Sequence, residues 1–531
     1  MSDDVSIVAN GRTVSVAANT SVAAALLGFG VSTFRTSVNG MQRGPVCGMG
    51  ICHECHVTID GVAHRRACLI AVAEGMQVST QRATGVNGEP VKAARVFDER
   101  TTLHADVAVV GAGPAGIAAA VTAAKAGQRV VLLDQGFTEG GQIWRHRLGT
   151  QPAREARAWV DRLGASSAVR RSHTAVVNLR SAGNSFELDA EQHGAAVTVL
   201  ASKVVLATGA RERMLPFPGW TLPGVVGVGG AQALLKMGTS FAGKRVVIAG
   251  SGPLLLPVAA SLARAGAHVL RVAEQAHFAD VVRFAASLWR RPNMLVQAAQ
   301  YRTGFLRTPY TTGTWVSAAE GTSAVERVTL TDGRTTTALT CDVLCVGHGL
   351  VPSTELALVV GCAVANGAVV VDERQETTVP GVYCVGEATG IAGADLSLIE
   401  GEIAGQWAAG RGANATQLYP ARRALREVAK AMERAFAPRA ELRSVCRSDT
   451  VVCRCEDVPL GAIDPAWSSR QAKLYTRAGM GPCQGRVCGA ALEFHFGWAP
   501  DAVRPPVEPV LLSTLLAAAQ SDAAFPQNGS A

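Results

Sequence analysis

Two stretches of this chain repeat one order of features: an apolar run, a glycine-rich turn and an alanine-rich segment of helical character. In the first stretch, residues 107–110 precede Gly111-Ala112-Gly113-Pro114-Ala115-Gly116. In the second, residues 245–248 precede Gly250-Ser251-Gly252-Pro253-Leu254-Leu255. A further apolar run follows each segment, at residues 130–133 and 268–272. A strand, a tight turn and a helix that lead to a parallel strand form a βαβ unit, so the repeat predicts an α/β fold with two dinucleotide-type lobes.

The first turn has the full set of features that a dinucleotide requires. Gly111 permits the tight turn, Gly113 lets the backbone approach a pyrophosphate, and Gly116 lets the helix pack closely on the strand. The helix N-terminus would then face the phosphates. Asp134, at the end of the next strand, is placed to bind a ribose hydroxyl. The predicted binding residues of this lobe are Gly111, Gly113, Pro114, Ala115, Gly116 and Asp134.

Three other stretches indicate that the dinucleotide is FAD. Residues 204–209 end a strand in the compact turn typical of two-dinucleotide flavoproteins, and residues 380–387 resemble the second FAD motif of those proteins. The acid of that motif, which holds the ribityl chain, is usually aspartate and is Glu387 here. Residues 140–142 resemble the stretch near the flavin ring, and a helix opening near Leu396 would direct its positive end at that ring. The further predicted FAD residues are Gln142, Thr208, Gly209, Gly386 and Glu387.

The second glycine turn departs from the dinucleotide pattern. Leu255 takes the place of the third glycine, where helix and strand should close up. Either the helix is displaced or the lobe has lost its nicotinamide nucleotide, so the pattern favours a degenerate or vacant site and makes NAD(P) a doubtful cofactor. Glu274, at the end of the next strand, keeps a working site open as the alternative. No additional Cys-x-x-Cys pair lies in these lobes, which excludes a disulfide relay of the thioredoxin-reductase type.

Four of the thirteen cysteines form an N-terminal group, Cys47-x4-Cys52-x2-Cys55 followed by Cys68. This is the plant-type spacing of a [2Fe–2S] cluster, and the intervening glycines let a loop wrap the cluster closely. Residues 52–56 also match the c-type haem attachment pattern, but haem leaves Cys47 and Cys68 unexplained. Zinc is the other alternative, although zinc sites usually take ligands in pairs. The spacing therefore favours the cluster.

A second group of four cysteines lies near the C-terminus, as Cys453-x-Cys455 and Cys483-x4-Cys488. Two close pairs of thiolates suit either a [2Fe–2S] cluster or zinc, and the spacing alone leaves both open. The remaining cysteines show no ligand grouping and are expected to be buried small hydrophobes: Cys341, Cys345, Cys362, Cys384 and Cys446.

The order of these motifs resembles the α subunits of heteromeric flavin-dependent amino-acid and amine dehydrogenases. These include opine oxidases, hydroxyproline dehydrogenases, the FAD subunit of hydrogen cyanide synthase and, more distantly, sarcosine oxidase. The resemblance covers almost the whole chain and is most specific at residues 207–213, 250–257 and 479–488. Residues 1–90 resemble the small ferredoxin-like subunit found beside those α subunits, so the chain resembles a fusion of the two.

The resemblance implies more than the motifs do. In such families the C-terminal cysteines belong to a BFD-like [2Fe–2S] domain, which favours a second cluster over zinc. Only 27 residues separate Cys455 from Cys483, however, which is short for the family. The resemblance also implies that substrate is oxidised on a separate FAD-containing β subunit similar to D-amino-acid dehydrogenases. The sequence shows no obvious group of a catalytic base and a nucleophile, which agrees with oxidation of the substrate on a separate subunit.

We therefore expect an α/β protein with a two-dinucleotide-binding-domain flavoprotein core. Its predicted parts are a β-grasp ferredoxin-like domain (1–90), a linker (91–104), a discontinuous FAD domain (105–225 and 341–412), an NAD(P)-binding-like domain (226–340), a helical BFD-like cluster domain (413–505) and a tail (506–531).

Charge and hydropathy exclude several other classes of protein. The net charge of +8 comes from scattered pairs such as Arg65-Arg66, with no block of five basic residues, so nucleic-acid binding is not expected. No run of 18 apolar residues occurs, and the acidic start leads into no apolar segment, so neither a transmembrane helix nor a secretory signal is expected. We expect a cytoplasmic protein, where reduced thiols favour metal or redox chemistry.

The predicted function is an FAD-dependent oxidoreductase subunit that relays electrons in the order cluster, flavin, cluster. Its heteromeric dehydrogenase would oxidise a C–N bond of an amino acid, opine or amine. Two alternatives stay open at this point: a self-sufficient NAD(P)H-dependent flavin/iron–sulfur reductase, and a flavin-free iron–sulfur scaffold or regulator. One FAD per chain would exclude the scaffold.

Overall fold

A computed structural model gives the fold of residues 4–80, 100–147, 149–498 and 503–523. The chain forms two compact units, each built from separate stretches of sequence. Unit 1 comprises residues 1–91, 211–351 and 427–501, and unit 2 comprises residues 92–210, 352–426 and 502–531. Most of the predicted linker, residues 91–99, lies outside the described residues, as does the end of the predicted tail at 524–531.

The N-terminal part of unit 1 is a five-stranded sheet that carries one helix. Its elements are β1 (Asp4–Ala9), β2 (Arg12–Ala17), α1 (Val22–Gly28), β3 (Arg35–Thr36), β4 (Gln42–Arg43), β5 (His56–Ile59), β6 (Val62–Arg66) and β7 (Gln77–Thr80). The strand order is β2-β1-β7-β5-β6, with β1 and β7 parallel. Asn10 and Gly11, both at positive φ, join β1 to β2 in a tight hairpin, the turn that an Asn-Gly pair favours.

The first lobe begins unit 2 and centres on β8. Its elements are β8 (Thr101–Val110), α2 (Pro114–Lys125), β9 (Val130–Leu133), α3 (Arg154–Gly164), β10 (Val169–Arg171), β11 (Thr174–Ala182), β12 (Ser185–Gln192), β13 (Ala195–Leu206) and the short β14 (Ala210–Glu212) at the change of unit. The sheet order is β10-β9-β8-β13-β12-β11. Strands β8, β9 and β10 run parallel, and α2 packs against β8 and β9, whereas β11, β12 and β13 form an antiparallel meander.

The second lobe belongs to unit 1. Its elements are β15 (Val225–Gly227), α4 (Val228–Lys236), β16 (Arg245–Ser251), α5 (Leu255–Arg264), β17 (His268–Glu274), α6 (Phe278–Ser287), α7 (Pro292–Thr303), β18 (Tyr310–Thr311), β19 (Trp315–Glu320), β20 (Arg327–Thr331), β21 (Thr336–Thr340), β22 (Val343–His348) and β23 (Leu350–Pro352). A parallel sheet has the order β15-β22-β16-β17-β18, and β19-β20-β21 form a separate antiparallel sheet. The predicted βαβ repeat is therefore present in both lobes.

The chain then completes unit 2 before it returns to unit 1. The elements of this stretch are α8 (Glu355–Val359), β24 (Val364–Ala365), β25 (Ala368–Val369), β26 (Val382–Cys384), α9 (Ala394–Ala408) and α10 (Tyr419–Ala435). Strand β26 pairs in parallel with the end of β13. Helix α9 packs along α2, where Gly401 faces the Ala115 carbonyl so closely that a side chain there would lie 2.2 Å from its oxygen.

The C-terminal cysteine segment folds within unit 1, with β27 (Val451–Cys453), β28 (Val458–Pro459), α11 (Ser469–Thr476) and α12 (Cys488–Phe496). Helix α13 (Leu512–Ala523) lies in the stretch that the sequence assigned to the tail, and it belongs to unit 2. The compact units change at 210/211 and 351/352, so residues 211–225 and 341–351 group with the second lobe rather than with the FAD lobe. None of the helices in the described part of the chain has the length and apolar character that a bilayer crossing requires.

Substitution of Gly401 by Ala tests the packing of α9 on α2. The new methyl group meets a backbone oxygen that cannot rotate away, so we expect a loss of about 1–3 kcal/mol of stability. Thermal unfolding followed by circular dichroism measures this loss. Gly164→Ala is the matched control, since it adds the same group at an open helical position of the same unit. An equal loss in both variants would contradict the close-packing argument.

Candidate functional site

The first glycine turn has the shape that a bound pyrophosphate needs. A side chain at Gly111 would lie 2.3 Å from the Ala207 carbonyl oxygen, and one at Gly116 would lie 1.8 Å from the Gly111 oxygen. By contrast, nothing lies within 4 Å of a side chain built at Gly113, the residue that caps α2 without a side-chain bond to its free N–H groups. The helix end is therefore open to an anion.

Asp134 has a further task besides the one predicted for it. Its two carboxylate oxygens accept hydrogen bonds from the Ala112 amide at 2.6 Å and the Gly136 amide at 2.7 Å. Burial raises the pKa of the Asp134 carboxyl, while the two amides oppose that rise. The side chain thus ties the glycine turn to the end of β9.

The stretch at residues 140–142 lies directly against this turn. The Gly140 amide donates to the Ala112 carbonyl at 2.7 Å, and a side chain at Gly141 would lie 2.9 Å from the Gly113 Cα. Gln142 is exposed. The structure therefore brings this predicted flavin stretch next to the predicted phosphate turn.

The remaining predicted FAD residues gather at the same edge of the sheet. Leu206, at the end of β13, pairs with Val110 of β8 on one side and with Cys384 of β26 on the other. The loops that follow these three parallel strands carry Gly111, Thr208 and Gly386, and ligands of α/β proteins bind outside such carboxyl ends. Gly209 adopts a φ of 67°, and the Thr208 hydroxyl donates to the Ser353 carbonyl at 2.6 Å.

A buried carboxylate that the sequence reasoning missed fixes the second FAD motif. Glu400 on α9 has no exposed surface and accepts from the Gly386 amide at 3.0 Å. Its other oxygen lies 2.5 Å from the Arg426 guanidinium, which also donates to the Thr389 carbonyl. Burial raises the pKa of Glu387, and a hydrogen bond from the Gly393 backbone at the start of α9 opposes this rise. The available sequence signal for Glu400 was its helical spacing from apolar residues, since Leu396, Ile403 and Ala404 lie three or four residues away on the same face of α9.

The second glycine turn is distorted as Leu255 suggests. Helix α2 begins at Pro114, whereas α5 begins at Leu255, two residues beyond the corresponding Pro253. Leu255 is almost fully buried in the core of the lobe. The second turn therefore differs from the first in the start of its helix, two residues later, and in the buried side chain at the position of the third glycine.

Residues 436–439 of the chain's own backbone lie over this second turn, and we name them the covering segment. The Ser251 hydroxyl donates to the Phe436 carbonyl at 2.8 Å. The Gln275 amide donates to the Ala437 carbonyl at 3.1 Å and accepts from the Arg439 amide at 3.1 Å. A side chain built at Gly252 would lie 4.0 Å from the Phe436 side chain, whereas nothing lies within 4 Å of one built at Gly113.

Glu274 is likewise turned inward. Its oxygens accept from the Gly252 and Ala276 amides, each at 2.8 Å, and no part of the residue is exposed. Burial raises the pKa of Glu274 to about 7. Asp134, the corresponding acid of the first lobe, keeps part of its surface accessible.

The N-terminal cysteines lie together in a buried loop. The Cys55 and Cys68 sulfurs are 3.3 Å apart, and the Cys47 sulfur accepts from the Cys52 amide at 3.3 Å. A hydrogen bond from the Cys52 thiol lowers the pKa of Cys47, which favours the thiolate form that binds iron. Gly48 and Gly50 adopt φ values of 60° and 85°, so the loop uses its glycines to turn.

The C-terminal cysteines also form two pairs. The Cys455 and Cys483 sulfurs lie 3.4 Å apart, and a hydrogen bond from the Cys488 thiol lowers the pKa of Cys453. All four residues are at most 8% exposed. Among the described residues, no three His, Cys, Asp or Glu side chains are arranged around a single metal ion. The five cysteines predicted to be inert are buried and free.

Comparison with known proteins agrees with this architecture. The family model described as pyridine nucleotide-disulphide oxidoreductase matches residues 105–433, and a 2Fe-2S iron-sulfur cluster binding domain matches residues 2–83. An opine oxidase subunit from Rhizobium meliloti is 31% identical over 425 residues, covering 73% of this chain and 81% of that protein. Hydrogen cyanide synthase subunit HcnB of Pseudomonas aeruginosa is 32% identical over 423 residues, covering 72% and 90%.

Two further comparisons support less: one covers only part of the chain, and the other shows only a shared fold. The α subunit of sarcosine oxidase from Corynebacterium sp. (strain P-1) is 32% identical over 219 residues, which cover 38% of this chain and 22% of that protein. The crystal structure of L-proline dehydrogenase from P. horikoshii superposes with a TM-score of 0.71 at 22% identity, covering 97% of this chain and 98% of that one, and shows a shared fold.

The fold and the first glycine turn define a flavin oxidoreductase that carries an N-terminal [2Fe–2S] domain. The chain belongs to the pyridine nucleotide-disulphide oxidoreductase family. It is an FAD- and [2Fe–2S]-dependent oxidoreductase, and it is homologous to the opine oxidase subunit, to HcnB and to the α subunit of sarcosine oxidase. The predictions of family, FAD and N-terminal cluster are thereby confirmed.

Substitution of Asp134 by Asn tests the turn of the first lobe. An amide has one acceptor oxygen where the carboxylate has two, so one of the Ala112 and Gly136 amides loses its partner at a cost of about 1–3 kcal/mol. We expect a lower ratio of bound FAD to protein in the purified variant, measured by absorbance. Asp106→Asn is the control, since Asp106 pairs with Arg129 at the surface of the same unit. Full flavin content in Asp134→Asn would contradict the assignment.

Proposed function

We propose that this chain is the electron-transferring subunit of a heteromeric dehydrogenase that oxidises a C–N bond of an amino acid, opine or amine. The oxidation itself would take place on a separate FAD-containing subunit similar to D-amino-acid dehydrogenases. The single observation that carries the proposal is the covering segment on the second glycine turn. This segment contacts the turn through Ser251 and Gln275, which supports an electron source other than a nicotinamide nucleotide bound there.

The residues of the chain fit the cofactors that such a relay uses. Bound FAD accepts two electrons at once, whereas a [2Fe–2S] cluster carries one at a time. Gly111, Gly113 and Gly116 would hold the pyrophosphate at the start of α2, and Glu387 would hold the ribityl chain. Cys47, Cys52, Cys55 and Cys68 would bind the N-terminal cluster. These assignments rest on the open turn at Gly113 and on the paired sulfurs of the buried loop.

A second [2Fe–2S] cluster in a BFD-like C-terminal domain is part of the proposal. Cys453 lies with Cys488, and Cys455 lies with Cys483. Each iron of a two-iron cluster takes two thiolates, whereas one zinc ion takes four around a single point. Two separate close pairs therefore support the cluster. The short spacing between Cys455 and Cys483 does not prevent them from meeting.

An anaerobic titration separates this proposal from the NAD(P)H-dependent alternative. We expect stoichiometric NADH or NADPH to leave the flavin absorbance band unchanged, because the covering segment contacts the second turn and Glu274 already accepts from the Gly252 amide. Dithionite should bleach the same band, which shows that the flavin is reducible. Rapid bleaching by either nicotinamide nucleotide would overturn the proposal in favour of a self-sufficient reductase.

Metal analysis of a Cys483→Ser variant tests the C-terminal cluster. We expect iron per chain to fall by about half, since one of two [2Fe–2S] sites loses a ligand. Cys446→Ser is the matched control, because Cys446 is a buried thiol just before the same segment and shows no ligand grouping. A loss of zinc with unchanged iron would refute the cluster assignment.

A further inference from the structure

The two cysteine groups are joined by a buried ion pair that connects the interiors of their motifs. Glu54 lies between Cys52 and Cys55, and Arg454 lies between Cys453 and Cys455. The Arg454 Nε donates to a Glu54 carboxylate oxygen at 2.8 Å, and both side chains are at most 2% exposed. The ion pair therefore directly connects the two loops that carry the predicted cluster ligands.

Further contacts tie each partner of this pair to its own cysteine group. The Glu54 amide donates to the Cys52 sulfur at 3.5 Å, and the second Glu54 oxygen accepts from Arg35 at 2.8 Å. Arg35 in turn donates to the Arg454 carbonyl at 3.2 Å. The Arg454 guanidinium also donates to the Trp220 carbonyl at 2.8 Å. Charge on either side chain is thus placed within one or two residues of predicted ligands on both sides.

A second ion pair and a shared core hold the same two segments together. Arg43 and Asp457 lie 2.6 Å apart with both side chains 2% exposed. Six of the eight predicted ligands belong to one continuous buried core: Cys47, Cys52, Cys453, Cys455, Cys483 and Cys488. A small cavity has Cys47 and Cys52 on its wall together with Arg486 and Val487 of the C-terminal segment.

Stability alone does not account for an ion pair in this position. Burying two charges costs several kcal/mol per ion, and well-packed apolar residues of similar volume are often neutral or stabilising by comparison. Glu54 and Arg454 instead place a negative and a positive charge beside two sites whose own charge changes by one electron. In a buried environment such charges act strongly on their neighbours.

We propose that Glu54 and Arg454 are positioning residues that hold the two iron–sulfur sites together as one coupled redox pair. This inference rests on the proposed second cluster. Exchange within the pair moves one electron: the site that gives it is oxidised, the other is reduced, and no bond forms or breaks. Chain order predicted the flavin between the clusters, whereas the structure joins the two cysteine groups to each other within unit 1.

Redox titration followed by electron paramagnetic resonance tests the pair on the full chain. Substitution of Arg454 by Met removes one positive charge near both sites, while Glu54 keeps Arg35 as its partner. Because a positive charge favours the reduced state, we expect the midpoint potentials of both clusters to fall. We also expect the spin–spin interaction seen when both clusters are reduced to change. Arg454→Lys should restore both readouts in large part.

Glu456→Gln provides a matched control. Glu456 is adjacent to Cys455 but pairs with Arg477 inside the C-terminal segment. Its neutralisation should raise the potential of the C-terminal cluster and leave the N-terminal one unchanged. If Arg454→Met likewise shifts only the C-terminal signal, or neither signal, the coupling role is overturned.

Iron content distinguishes this failure from a failure of the proposed function. If the wild-type protein contains iron for only one cluster, the proposed second cluster is absent. If it contains two clusters with independent signals, only the coupling is refuted. Should Arg454→Met fail to fold, Glu54→Gln gives the opposite test. This substitution removes a negative charge and should raise the midpoint potentials of both clusters. A rise confined to the N-terminal cluster would count against the proposal.

Discussion

Buried and half-buried carboxylates hold the functional turns of this protein in place. A carboxylate removed from water must find donors for its oxygens, since an uncompensated buried charge is strongly destabilising. Here those donors are backbone amides of the turns, or guanidinium groups from distant segments. The residues that act in this way are Asp134 on the phosphate turn, Glu400 on the second FAD motif, Glu274 on the covered turn, Glu212 on the start of α4 and Glu54 on the cysteine loop.

The second lobe supports the N-terminal cysteine loop through the start of its first helix, α4. The Gly227 amide donates to the Val46 carbonyl at 2.9 Å, and a side chain at Gly230 would lie 2.2 Å from that same oxygen. Glu212 holds the Gly229 and Gly230 amides, at 2.7 and 3.0 Å. The start of α4 thereby packs against the N-terminal cysteine loop and helps to fix its position.

Local sequence patterns predicted much of the fold and of the flavin site. The Asn10-Gly11 hairpin, the paired βαβ units and the meeting of Gly111, Thr208 and Gly386 follow from turn chemistry and from parallel strand order. Leu255 correctly signalled an abnormal second turn. Local patterns did not predict two long-range contacts, one at the second glycine turn and one between the two cysteine groups. The covering segment meets Ser251 from 185 residues away, and Arg454 meets Glu54 from 400 residues away. Partners at that separation are chosen by tertiary packing, which no local propensity encodes.

The distance along the chain between Glu54 and Arg454 also has a consequence for biogenesis. At translation rates of 5–20 residues per second, the 400 residues between them take about 20–80 s to synthesise. During that interval the cysteine loop has emerged, but the arginine that completes its charge balance has not been made. Final enclosure of the N-terminal iron site is therefore an event near the end of synthesis. A chain that terminates before residue 454 leaves Glu54 without this partner, and leaves Cys47 and Cys52 without the C-terminal half of their buried core.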